Sequence, residues 1–173
     1  MTEPSPRTAS EPMAFTRTEF WQGLTSAWLW SLPLLLVPWA VFLGYYAVVA
    51  VLYIVPWSVG ATLAFGAPAY FLGRVLRRIP RVPVHLTAFA VLGAVVGAAT
   101  TGVLFVVDPS LRQAMGAMIL TVNVAGSALA VTVGWWRTAR RALRAEARPA
   151  LAEPADPDAA AEDALLDGSG STG

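Results

Sequence analysis

The residues of this chain that could do chemistry are few and lie far apart. His85 is the only histidine, and there is no cysteine, which excludes disulfides, thiolate catalysis and cysteine-bound metal. A lone histidine with no carboxylate near it in the sequence lacks the partners of a metal site. No glycine-rich phosphate loop follows a strand pattern. We therefore predict that the chain is not an enzyme and holds no cofactor and no metal.

A second polar group centres on Asn123, which lies with Thr121 and Ser127 inside a long apolar stretch. A buried amide needs a partner, and an asparagine between apolar helices usually bonds to a neighbouring helix. We expect Asn123 to hold helices together in this way. The alternative is a substrate-binding polar patch, which Thr100 and Thr101 would complete.

Small residues recur at every fourth position in three of the apolar stretches. The rows are Gly93, Gly97 and Thr101, then Gly126, Ala130 and Gly134, and finally Gly60 and Ala64. Such rows let helix backbones approach closely, which drives helix association where lipid is the solvent. We expect packing within one bundle. The alternative is a homodimer through the Gly93–Gly97 face.

A basic segment, residues 137–148, follows the last apolar stretch. Its arginines are Arg137, Arg140, Arg141, Arg144 and Arg148. On a helix these positions cover one face. Facing anionic lipid headgroups, each arginine would contribute about 1 kcal/mol. The segment is therefore predicted to be a basic juxtamembrane helix. Its arginines either bind anionic headgroups or, as the notably simpler interpretation, only determine the topology of the last span.

The elements that carry these residues are predicted from the distribution of charge. Apolar residues make up 56% of the 173 residues and charged residues 13%, against roughly 45–50% and about 25% in soluble chains. No charged residue or histidine occurs within residues 20–73, 86–107 or 113–136. Each of these stretches can hold a membrane span of about 20 residues. The fold class is thus an all-α integral membrane bundle.

The first helix is predicted to begin after Thr16. Thr16 and Glu19 form a capping-box pattern, and Phe15 with Phe20 fits a hydrophobic staple around it. Residues 17–30 are interpreted as a short interfacial helix, because tryptophan rings favour the headgroup level. The flanking residues 1–15 and the acidic, proline-containing residues 149–173 are expected to be disordered tails.

The first uncharged stretch must hold two spans, and two placements compete. One gives spans 31–54 and 57–77 with a turn at residues 56–58; the other turns at residues 44–46. The second placement would make the following span about 40 Å long, against a hydrocarbon thickness of about 30 Å. We therefore favour the first placement, and the turn position stays open between the two.

The remaining spans are predicted at residues 84–107 and 111–136. Asp108 can cap the last helix, with Pro109 at its first position. His85, at the start of the third span, is expected to lie at the membrane interface. The domain organisation is thus one transmembrane domain, residues 16–136, in which four spans follow the interfacial helix.

The arginines predict the orientation. Eleven of the twelve lie in the N-terminal segment, the loop 78–83 with its flanks, or the C-terminal segment, and Arg112 alone lies elsewhere. The positive-inside rule then places both termini and that loop in the cytoplasm. The absence of lysine and the abundance of alanine and glycine suggest a GC-rich bacterial genome, and hence a plasma membrane.

No charged residue lies inside a predicted span, although such residues usually mark ion pathways and proton relays. We therefore expect a structural or accessory membrane component that acts through lateral helix packing and its cytoplasmic tails. The alternative is a small transporter or a permease subunit. The expected partners are the lipid bilayer and either a second copy or another membrane protein, with no nucleic acid.

Overall fold

Four long helices make up most of the chain. The computed structural model describes residues 7, 8 and 10–152. The helices are α1 (Arg17–Leu43), α2 (Ala47–Leu76), α3 (Val82–Val107) and α4 (Pro109–Ala152), with a 3-10 turn, Gly44–Tyr46, between α1 and α2. All four helices are long and apolar enough to cross a membrane. The predicted all-α, four-helix membrane bundle is confirmed.

The start of α1 follows its sequence pattern. The Glu19 N–H donates to Thr16 Oγ1 at 3.1 Å, and the Thr16 N–H donates to Glu19 Oε2 at 2.9 Å. These reciprocal bonds are the predicted capping box. The rings of Phe15 and Phe20 stack across it with centroids 6.2 Å apart. The cap therefore begins a helix that continues to Leu43.

The turn of the first hairpin lies at Gly44–Tyr46, so the favoured turn at residues 56–58 is wrong. Gly44 follows α1 with a φ of +52°, which glycine adopts without the steric cost of a side chain. Residues 17–30 are the first half of α1 and not a separate helix. Ser58 lies within α2 and is only 8% exposed. The preference for residues 56–58 assumed that the hairpin begins and ends at the membrane surface.

The second hairpin turns at Asp108. The Ser110 N–H donates to Asp108 Oδ1 at 3.1 Å, so the predicted cap of α4 is present. The Ser110 hydroxyl also donates to this carboxylate and, as the largest cause, lowers the pKa of Asp108 below its ordinary value. Within α4 the backbone of Met115 leaves the helical range, next to Gly116, a residue type that often accompanies kinks.

The helices pack as antiparallel neighbours. In α1 and α2, Leu24 lies against Gly66. In α3 and α4, Phe105 lies against Gly116. Helices α1 and α4 also meet, because a Cβ placed on Gly23 would lie 3.7 Å from Thr138 Oγ1. The chain divides into two units, Met1–Ala139 and Arg140–Gly173, and the packing described below belongs to the first.

The chain segments outside the bundle differ from the prediction where they are described. Residues 10–15, predicted to be disordered, are attached to the end of α2: the Met13 N–H donates to the Arg77 carbonyl oxygen at 3.1 Å. Residues 149–152, also predicted to be disordered, continue α4. Residues 153–173, the rest of the predicted acidic tail, lie outside the described residues.

Candidate functional site

The glycines of α3 lie against the backbone of α4. A Cβ placed on Gly93 would lie 2.5 Å from the Ser127 carbonyl oxygen and 2.7 Å from Ala128 Cα. A Cβ on Gly97 would collide with the carbonyl oxygen of Asn123 in the same way. Glycine is therefore required for this approach. The Gly93–Gly97 face is covered by α4, so a homodimer through it would require α4 to leave.

A polar chain closes the same contact. Asn123 Nδ2 donates to Thr101 Oγ1 at 3.0 Å, and Thr101 Oγ1 donates to the Gly97 carbonyl oxygen at 2.7 Å. Thr101 is only 1% exposed. Two other predicted members of a polar patch bond within their own helices: Thr121 donates to the Ala117 carbonyl oxygen, and Thr100 to those of Val96 and Gly97. The amide thus joins two helices through one of its N–H groups.

The second row of small residues lies against α1. A Cβ on Gly134 would lie 2.6 Å from the backbone N and Cα of Ala27, and one on Gly126 would lie 2.9 Å from Leu35 Cδ2. Ala130, between them, is 1% exposed. Helix α4 therefore uses one face against α3 and another against α1. In the third row, a Cβ placed on Gly60 would have no neighbour within 4 Å, and both Gly60 and Ala64 are exposed.

The basic segment lies on α4, which is helical through Arg148. The guanidinium carbon of Arg137 lies 5.3 Å from the centroid of the Trp30 ring, which is a cation–π contact. Further along the helix, Arg140, Arg141 and Arg144 are exposed. The structure thus gives these arginines a helical scaffold, and their contact with lipid headgroups remains a prediction.

His85 is buried inside the bundle, and its expected position at the level of the membrane interface remains a prediction. It is 2% exposed, its Nε2–H donates to the Ile79 carbonyl oxygen at 2.8 Å, and its ring stacks on Trp135 with centroids 5.1 Å apart. Phe89 stacks on the same tryptophan at 5.6 Å. The histidine therefore fixes the α2–α3 loop against α4. The four-residue spacing of His85, Phe89 and Gly93 was the sequence signal for this burial.

A second hydrogen bond that the sequence did not indicate joins α1 to α2. The indole N–H of Trp28 donates to Ser58 Oγ at 3.0 Å, and Ser58 Oγ donates in turn to the Val55 carbonyl oxygen at 2.8 Å. The predicted interfacial helix at residues 17–30 put Trp28 at the headgroup level, so a bond to α2 was not expected. Among the described residues, every buried side-chain nitrogen or oxygen has a hydrogen-bond partner.

The N-terminal segment, residues 10–15, forms a charged and aromatic contact with the end of α2. Glu11 Oε1 accepts from Arg77 Nη2 at 3.1 Å and lies 3.7 Å from Arg78 Nε. The Phe15 ring lies so close to Gly73 that a Cβ there would be 2.7 Å from Phe15 Cε1. Phe15 also meets the Tyr70 ring edge-on at 5.8 Å. The sequence pattern indicates a role for Phe15 only in the hydrophobic staple, and it does not predict this contact.

A small pocket lies beside this contact. It has a volume of about 140 Å³ and is lined by Ala14, Phe15, Tyr70, Arg74 and Arg77. The described residues contain no group of three or more histidine and acidic side chains that could hold a metal ion.

The chain matches no protein family, no curated protein and no solved structure. The geometry of its own residues must therefore carry any functional argument.

Proposed function

We propose that this multi-pass membrane protein is a structural or accessory component of a bacterial plasma membrane. It acts through lateral contacts of its helices and through its cytoplasmic tails. The observation that carries the proposal is the use of polar groups between the helices. Asn123, Thr101, Ser58 and Trp28 are bonded to one another or to backbone carbonyls. Polar groups used in this way support helix packing, whereas a solute path needs groups that can bind the solute.

The stagger of the helices supports a specific depth in the membrane. Gly134 of α4 lies at the level of Ala27, and Gly66 of α2 at the level of Leu24. The segment of α1 from Leu24 to Leu43 is about 30 Å long, and the segment of α2 from Ala47 to Gly66 has the same length. This equals the hydrocarbon thickness of about 30 Å. We place the hydrocarbon boundary near Leu24, Gly66 and Trp135.

The start of α1 and the end of α2 then extend beyond the hydrocarbon into the headgroup layer. Residues 17–23 and 67–76 occupy this region, about 10–15 Å in length. Trp21 is 57% exposed and Phe71 is 65% exposed there, as expected for rings at an interface. This placement accounts for the length of α2 without a turn at residues 56–58. It also keeps an interfacial role for the start of α1.

The arginine distribution supports a cytoplasmic position for this end of the bundle. This end contains the start of α1, the end of α2, the loop before α3 and residue 137. The arginines there greatly outnumber the single Arg112 near the other end. A positive-inside bias of this strength favours cytoplasmic termini. Four crossings place both termini on the same side, so one orientation measurement fixes them both.

The proposal is tested by copurification from native membranes after mild crosslinking. We expect a discrete partner in a fixed ratio to the chain. A variant that ends at Ala152 separates contacts made by the helices, which it keeps, from contacts made by the acidic tail. In parallel, the pure chain is reconstituted in vesicles, and we expect solute flux equal to that of empty vesicles. Flux above that level, with no partner recovered, would support a transport component and overturn the proposal.

A further inference from the structure

The pocket beside the N-terminal segment is formed by two parts of the chain that are far apart in sequence. Ala14 and Phe15 supply one wall, and Tyr70, Arg74 and Arg77 of the last turns of α2 and the residue after it supply the other. The aromatic contact between Phe15 and Tyr70 holds the two walls together, with centroids 5.8 Å apart. The pocket therefore exists only when the N-terminal segment is in place.

The charges around this pocket do not cancel. Glu11 is shared between Arg77 at 3.1 Å and Arg78 at 3.7 Å. Arg74 has a cation–π contact with the Tyr70 ring at 5.9 Å, and no carboxylate in the described part of the chain forms an ion pair with it. Among the described residues, three arginines thus share one acid, which gives an excess of positive charge on the side of Arg74.

The chemistry of the lining favours a phosphate group. A guanidinium offers several N–H donors in one plane and binds phosphate oxygens in pairs. A hydroxyl such as that of Tyr70 can donate one more hydrogen bond. Phosphate could come from a soluble ion or from a lipid headgroup, and the surroundings of Arg74 distinguish the two.

The side chains next to Arg74 are exposed and apolar. Phe71 lies three residues before Arg74 and shares its face of α2, and Val75 lies four residues after Phe71, on the adjoining strip of the helix. They are 65% and 73% exposed. A soluble phosphate makes no favourable contact with apolar side chains, whereas the acyl chains of a lipid would cover them. We infer that this pocket binds the phosphate of an anionic phospholipid, with Arg74 as its main charged contact. The inference rests on the proposed depth of α2, and not on the accessory role.

The test uses the full chain, purified in a neutral detergent and titrated with dioleoyl phosphatidylglycerol, with dioleoyl phosphatidylcholine as the uncharged comparison. Bound lipid is counted by native mass spectrometry. We expect phosphatidylglycerol to be retained in preference, and Arg74→Gln to weaken its binding about tenfold, because a charge-assisted hydrogen bond is lost. Arg81→Gln is the matched control: it removes the same charge from an exposed position in the next loop and should leave binding within about twofold of wild type.

Two further arms keep the outcome decisive. Arg74→Lys retains the charge without the planar donors, so it should bind phosphatidylglycerol with intermediate affinity and also shows whether the position tolerates change. Glycerol phosphate in solution should bind far more weakly than the lipid. Equal loss in Arg74→Gln and Arg81→Gln would show general attraction to arginines and overturn the inference. Glycerol phosphate binding as tightly as the lipid would identify a soluble-phosphate site and overturn it too.

This experiment can fail independently of the other proposals. If the chain has the expected topology but shows no preference for the anionic lipid, only the assignment of the pocket is wrong. If the topology is wrong, so is the headgroup placement on which the pocket depends. Neither result bears on whether a protein partner copurifies, because that readout does not involve Arg74.

Discussion

Replacing Gly93 by alanine should destabilise the bundle, whereas the same change at Gly102 should not. At Gly93 the new Cβ would lie 2.5–2.9 Å from backbone atoms of Ser127 and Ala128. Ordinary contact needs about 3.5 Å or more, so α3 and α4 must separate by about 1 Å. At Gly102, on the same helix, nothing lies within 4 Å of the new atom.

The magnitude follows from three contributions. Overpacking costs about 1–3 kcal/mol, and separation of the helices weakens the nearby Asn123–Thr101 bond, a type worth about 0.6 kcal/mol. Alanine gains about 1 kcal/mol over glycine in helix propensity. The free energy of unfolding should therefore fall by about 0.5–2.5 kcal/mol for Gly93→Ala, and it should rise by up to about 1 kcal/mol for Gly102→Ala.

The assay is unfolding of the purified chain in mixed micelles of a neutral detergent and sodium dodecyl sulfate. Loss of helix is followed by circular dichroism, and loss of packing by the fluorescence of the seven tryptophans. The control variant reports helix propensity alone, so the difference between the two variants isolates the packing contribution. Equal stability of Gly93→Ala and Gly102→Ala would refute the close α3–α4 contact.

Three further predictions follow from the described hydrogen bonds. Asn123→Leu and Thr101→Val should each lower the free energy of unfolding by about 0.6–1.7 kcal/mol, and the double variant by less than their sum, as the same unfolding assay would show. The carboxylate of Asp108 has a lowered pKa in the folded chain because Ser110 donates to it, so its stabilisation is present above the ordinary carboxyl pKa and disappears as the pH falls through the lowered one. Thermal unfolding measured between pH 6 and 3 should therefore depend less on pH in Asp108→Asn than in the wild type, and equal pH dependence would contradict the cap. Glu11→Gln should release the N-terminal segment, seen as faster amide hydrogen exchange before α1, while exchange within α3 stays unchanged.

Much of the fold could be predicted because each signal was local or depended only on the solvent. The long uncharged stretches predicted four apolar helices, the Thr16–Glu19 pattern predicted the start of α1, and Asp108 predicted the start of α4. Each of these rests on residues that are close in sequence. The small-residue rows on α3 and α4 indicated which faces would approach closely, and the structure places Gly93 and Gly97 against α4.

The first hairpin was predicted wrongly because helix length alone does not determine how far a helix extends beyond the hydrocarbon. A helix of α2's length exceeds the hydrocarbon thickness, but only part of it needs to lie in the hydrocarbon. The pairing of Leu24 with Gly66, which sets how far the ends extend, is a contact between residues 42 positions apart and leaves no local pattern. Pro56, taken as a turn residue, lies inside α2, where the neighbouring helices support the backbone.

The site at the end of α2 was missed for a similar reason. Residues 10–15 have the composition of a disordered tail, and only the three-dimensional arrangement shows that Glu11 meets Arg77 and that Phe15 fills the space left by Gly73. Gly73 follows Ala69 by four residues, but this spacing does not indicate that residues 10–15 would cover it. The burial of His85 depended on Trp135 in the same way, because its ring partner comes from another helix.

The most direct test of the central claim is cysteine labelling in intact cells and in opened ones. The chain has no cysteine, so single substitutions report one position each. With a membrane-impermeant maleimide, Tyr45→Cys and Gln113→Cys should react in intact cells, whereas Ser10→Cys and Ser171→Cys should react only after the membrane is opened. Ser58→Cys should resist labelling in both. Reaction of Ser10→Cys or Ser171→Cys in intact cells would contradict a four-span bundle with cytoplasmic termini.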